Sequence, residues 1–110
     1  MIDLDLIKKH CLISSNDFDD LLQQYQRSAF ELVATHTSRQ WYATQEELDQ
    51  ARATGQDNGT GMVYTDGVDT AMLMLISGWF ENRESISQNE MKELPFGVWA
   101  LIQPYRIYGL

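Results

Sequence analysis

Asp66-Gly67-Val68-Asp69-Thr70-Ala71-Met72-Leu73-Met74-Leu75-Ile76-Ser77-Gly78-Trp79-Phe80-Glu81-Asn82-Arg83-Glu84 is the stretch that decides the fold. Ala71 to Ile76 are apolar without interruption, and Trp79 and Phe80 follow one turn later. Val68, Met72, Leu75, Ile76, Trp79 and Phe80 share the i, i+4, i+7, i+8 spacing of one helix face. Leu73 and Met74 lie off that face, so the helix is apolar around most of its circumference. Such a helix is buried by several neighbours or spans a membrane. A span needs about 20 apolar residues, and this run is far shorter. The pattern therefore predicts a central core helix over about 67–84, with Glu81 to Glu84 emerging at the surface.

The flanking sequence supplies helices to surround it. Asp3 is placed to cap a helix over Leu4–Leu12, with Leu4, Ile7 and Cys11 on one side and Lys8 and Lys9 on the other. Ser15 or Asn16 is placed to cap a longer helix, about Asp17–Thr35. Asp17, Asp19 and Asp20 sit in its first turn, where the helix dipole favours negative charge. Thr44 and Glu47 match a capping box for a short, peripheral helix anchored by Leu48 and Ala51. Pro95 opens a last helix whose apolar residues are Phe96, Val98, Trp99, Leu101 and Ile102, and Pro104 ends it.

Between these elements lie connections. Trp41 and Tyr42 are expected to fold back on the core. Gly55 to Gly61 reads as a mobile glycine-rich loop, and Ser85 to Glu93 as a polar linker. Met62-Val63-Tyr64 suits a short strand, with no evident partner strand. The expectation is an all-α domain over residues 1–110: a small irregular bundle of about four to five helices around the central one.

Composition narrows the function. The 110 residues carry a formal net charge of −8, which disfavours a module that grips nucleic-acid phosphates. A single cysteine, Cys11, excludes a disulfide within the chain and suits a reducing compartment. No secretory signal opens the sequence. The glycine loop lacks the Gly-Lys-Ser/Thr ending of a phosphate-binding loop and the oxygen-ligand spacing of a calcium loop. His10, Cys11 and His36 are not spaced as metal ligands. Glu81 and Glu84 read as a solvated helix end rather than an acid pair. No catalytic constellation emerges, and no cofactor or metal is expected. The tail, residues 104–110, joins Pro104, Tyr105, Arg106, Ile107, Tyr108 and Leu110. Tyrosine and arginine are enriched where proteins meet, so it is a candidate docking segment.

Several motifs, taken in order, resemble one family. They are Leu6-Ile7-Lys8-Lys9-His10-Cys11-Leu12-Ile13, then an acidic run and Leu21-Leu22, and the turn Thr37-Ser38-Arg39. Trp79-Phe80-Glu81-Asn82-Arg83-Glu84 follows, and last Leu94-Pro95-Phe96-Gly97-Val98, Leu101-Ile102 and Pro104-Tyr105-Arg106. The family is that of the small head–tail connector (adaptor, head-completion) proteins of long-tailed phages and prophages. Two features depart from its pattern. Residues 43–65 are longer and more polar, and Ser38 stands where glycine is common.

The resemblance implies a structural protein, not an enzyme. It implies an all-α subunit that forms a ring of about a dozen copies on the portal. The ring extends the DNA channel and offers a surface to a head-closure or tail-completion protein. DNA passes through without specific binding, and no membrane is involved. The place implied is the head–tail junction of the virion, after assembly in the host cytoplasm. Within this reading the tail is the partner contact. Trp79 and Arg83 are structural anchors, with Arg83 expected to tie its helix to an acidic neighbour. The alternative is a small helical DNA-binding or regulatory phage protein. That would need a helix with clustered basic residues, whereas Arg27, Arg39, Arg52, Arg83 and Arg106 are dispersed.

Overall fold

The computed structural model describes residues 1–85 and 88–108, without the side chains of Gln88 and Asn89. In order the elements are α1 (Leu4–His10), α2 (Asp19–Thr37), β1 (Trp41–Tyr42), α3 (Gln45–Ala53), β2 (Met62–Val63), α4 (Asp66–Glu81), α5 (Gln88–Lys92) and α6 (Phe96–Ile102). A 3-10 turn, Gln103–Tyr105, follows. The molecule is all-α apart from the two short strands.

The apolar stretch is indeed the centre. Thr65 caps α4 by accepting a hydrogen bond from the Val68 N–H. Helix α4 packs against α1, α2 and α6. Val68, Ala71, Met72, Leu75, Ile76 and Trp79 are all buried. Around them lie Ile7 of α1, Leu22, Tyr25, Ala29 and Val33 of α2, and Val98 and Ile102 of α6, in one cluster. Burial of this kind is worth roughly 1.5–3 kcal/mol per large aliphatic side chain. That is why a helix with so little polar surface is stable. Its last carbonyls are met locally: the Asn82 side chain donates to Gly78 O and Arg83 donates to Phe80 O.

The first turns follow the sequence closely. Asp3 accepts from the Leu6 N–H at 2.9 Å. The helix closes at Leu12, where the Ile13 N–H reaches Lys8 O and the Leu12 N–H reaches Lys9 O. That double closure requires a left-handed residue, and Leu12 adopts φ 59° with its side chain 92% exposed. Neither Ser15 nor Asn16 caps α2. Phe18 stands at the cap position with no side-chain hydrogen bond. The Asn16 carboxamide oxygen is taken instead by Lys8 Nζ at 2.7 Å, and the same ammonium pairs with Asp19 at 2.9 Å. One lysine thus fastens α1 to the start of α2. At the other end of α2, Ser38 sits at φ 57°. Glycine takes that conformation most readily.

Three connections differ from expectation. Met62 and Val63 do have a partner: they pair in parallel with Trp41 and Tyr42. Two-residue strands so far apart in the chain leave no periodic signal. The segment expected to be a mobile glycine-rich loop is fastened. Asp57 is nearly fully buried and accepts hydrogen bonds from the Tyr42 hydroxyl and the Gly59 N–H. Asn58 N–H donates to the Gln40 side chain. Gly61 passes so close to Asp57 and Leu48 that a Cβ there would strike both. Finally, α5 lies inside the expected linker, and Met91 packs against the core.

Candidate assembly surfaces

The tail is rooted before it becomes available. Arg39 is the root. Its Nε donates to the carbonyl of Tyr105 and a terminal nitrogen donates to the carbonyl of Thr60 at 3.2 Å. A planar guanidinium can serve two carbonyls at once, which a lysine cannot do in this geometry. The Ile107 N–H then donates to Thr37 O at 3.0 Å. Thr37 is fully buried. Its hydroxyl donates to Val33 O and accepts from the Trp41 indole N–H. Trp41 stacks on Tyr64 with ring centroids 5.4 Å apart and meets Tyr105 edge-on. Phe30 leans on the other partner, Tyr64. Burial, and secondarily Asp69, push the Tyr64 phenol up to about 12.

These contacts divide the expected docking residues. Tyr105 and Ile107 belong to the molecule's own packing. Pro104, Arg106 and Tyr108 are exposed, and the Arg106 guanidinium lies 5.0 Å from the centroid of the Tyr108 ring. Leu110 lies outside the described residues. Sequence reasoning missed Arg39. Its one signal was position: an arginine directly after a helix end and before an aromatic pair.

The expected anchors are at the opposite end of α4. Trp79 is buried and meets Tyr25 edge-on at 5.8 Å. Arg83 was expected to tie its helix to an acidic neighbour, and it lies against aromatic rings instead. Its guanidinium lies 4.3 Å from the Phe80 ring centroid and 5.1 Å from that of Phe18, and the two rings meet edge-on. The partners are rings and a carbonyl rather than a carboxylate. Cys11 lies nearby, and burial, then the charge of Glu81, raise its thiol pKa. A raised pKa makes a poor nucleophile.

Two further surfaces stand out. A groove of about 660 Å³ runs between α2 and α5, with Tyr25, Leu32, Trp79 and Met91 among its apolar walls. Phe96 and Trp99, expected to face the core, do not: they are 82% and 39% exposed, while Val98 and Ile102 take the buried side of α6. The spacing of apolar residues marked a helix correctly but overfilled its inner face. Among the described residues, no three His, Cys, Asp or Glu side chains converge to hold a metal ion. Among the same residues, no helix is long and apolar enough to cross a membrane.

What the described residues present are two apolar surfaces and an exposed tail. The chain belongs to the phage gp6-like head-tail connector protein family, whose profile matches residues 1–106. That family is structural, and membership places the chain among the components that join phage heads to tails. Neither a curated protein nor a solved structure matches the chain.

Proposed function

We propose that this protein is the subunit of a ring seated on the portal, which extends the DNA channel and receives a head-closure or tail-completion protein. The observation that carries this reading is the family match over nearly the whole chain. The net charge of −8 supports it physically. A channel lined by a subunit of that charge repels the phosphate backbone, so DNA slides through instead of sticking. Assembly takes place in the host cytoplasm, and the ring stays in the virion at the head–tail junction.

The docking element is the exposed part of the tail, Pro104, Arg106 and Tyr108, continued by Leu110. Its support is the division described above: Arg39 and Thr37 fix Tyr105 and Ile107, which presents Arg106 and Tyr108 outward from a rigid root. Replacing Arg106 and Tyr108 together with alanine tests the element without disturbing the root. The expected result is an unchanged helical spectrum and unfolding midpoint, with loss of head completion in a complementation assay. Normal complementation by that variant would sink the docking role.

A further inference from the structure

Each copy of this chain carries an apolar projection and an apolar recess that no described residue fills. The projection is the outer face of α6. Phe96 is 82% exposed, Trp99 lies one turn on at 39%, and Met74 of α4, also 39% exposed, flanks them against Gly97. The recess is the α2–α5 groove of about 660 Å³, floored by Tyr25 and Trp79 and walled by Leu32 and Met91. The two look in different directions. Met74 and Trp79 are five positions apart on one helix, which turns them about 140° from each other. Two different, mutually complementary patches facing apart make a head-to-tail contact between copies, and such contacts close into a ring where the rotation from copy to copy closes.

We infer that the α6 ridge of one copy, led by Phe96 and Trp99, seats in the α2–α5 groove of the next. This rests on the ring reading above and assigns that ring its subunit contact. Charge agrees with the match. Lys92 stands at the rim of the groove and has no ion-pair partner among the described residues. Glu93 is exposed just before the ridge, so each junction brings an acid toward an unpaired cation. Area agrees as well. An aromatic side chain buries about 150–250 Å², so the open parts of Phe96, Trp99 and Met74 amount to roughly 300 Å². A stable pair uses about 800 Å² per partner. One junction is therefore too small to hold two copies together in dilute solution, while a closed ring gives every copy two junctions.

Disulfide trapping tests this directly. In a Cys11→Ser background, Ser28→Cys marks the groove and Ala100→Cys, exposed one turn on from Phe96, marks the ridge. Mixing the two single-cysteine chains at high concentration under mild oxidation should give mixed dimers, in excess over the like-with-like dimers of either chain alone. A chain carrying both cysteines should give a ladder. Circular dichroism of each variant confirms the fold. Preferential Ala100→Cys homodimers would overturn the inference, since they show a face-to-face contact, and so would the absence of mixed dimers both in solution and on isolated portals. If rings form on portals without the mixed cross-link, this contact fails while the connector reading stands. If nothing binds the portal and no cross-link forms, both fail.

Discussion

At the N-terminal end of α4, Arg39 ties together segments that are 66 and 21 residues away in the chain. Trp41, Tyr64, Phe30 and Tyr105 pack beside it, and the paired strands close over them. At the C-terminal end, Arg83 reaches its own helix and Phe18, in full view of solvent. Both ends use an arginine among aromatic rings. One arginine answers carbonyls that burial partly shields from water, while the other adds to contacts that water could replace. The contrast teaches that the chemistry of a residue says little about its weight; the cost of leaving its partners unmet says more.

The largest expected effect breaks this contrast at its strong side. Arg39→Ala leaves two half-buried carbonyls unpaired and should lower stability by about 3 kcal/mol in urea unfolding, since hydrogen bonds to charged groups contribute about 1.5–3 kcal/mol each. Arg83→Ala removes an exposed cation–π contact and should cost no more than about 1 kcal/mol. Equal losses for the two variants would erase the distinction drawn here.

A smaller effect concerns pH at the same closed end. Burial and Asp69 raise the Tyr64 phenol to about 12 in the folded state, above its ordinary value of 10.0. Below that ordinary value both folded and unfolded chains keep the proton, and the stabilisation is complete. As pH rises toward 12 the unfolded chain releases its proton first, so stability falls. Partial exposure of the ring limits the loss to about 1–2 kcal/mol. Tyr64→Phe should flatten that alkaline decline when unfolding is followed at a series of pH values. An unchanged slope would place the titrating group elsewhere.

Much of this was legible in the sequence, and the boundary between legible and hidden has a physical cause. The central helix announced itself because burial on nearly every side demands apolar residues at nearly every position, as Ala71 to Ile76 supply. Asp3 and Thr44 were readable as caps because a cap acts over three residues. Contacts between distant segments leave no such trace. The pairing of Trp41 with Met62, the two carbonyls held by Arg39 and the burial of Asp57 all depend on where the chain returns to. Phe96 and Trp99 were misplaced for a related reason: periodicity tells which residues share a face, not whether a neighbour covers it. Of the candidate site, the tail's composition was visible, but its rigid root was not.

The smallest effects sharpen the comparison at two backbone positions. Leu12 and Ser38 both adopt left-handed conformations that suit glycine, one at each end of the bundle. Leu12→Gly and Ser38→Gly should each raise stability by about 0.5–1 kcal/mol in thermal unfolding, because relief of strain exceeds the added freedom of the unfolded chain. A loss of stability at Ser38 would mean that its hydroxyl contributes more than the backbone strain removes.

The parallel pairing of Trp41–Tyr42 with Met62–Val63 has one more consequence. It brings the two ends of residues 43–61 side by side, so everything between them leaves and re-enters the bundle at a single doorway. Lengthening a segment whose ends already meet costs little, since the closure entropy grows only with the logarithm of its length. This excursion can therefore change in size and polarity without disturbing the core. The same doorway offers an experimentalist a place to splice in an epitope or a fluorophore at Thr54–Gly55 and follow the subunit into the particle.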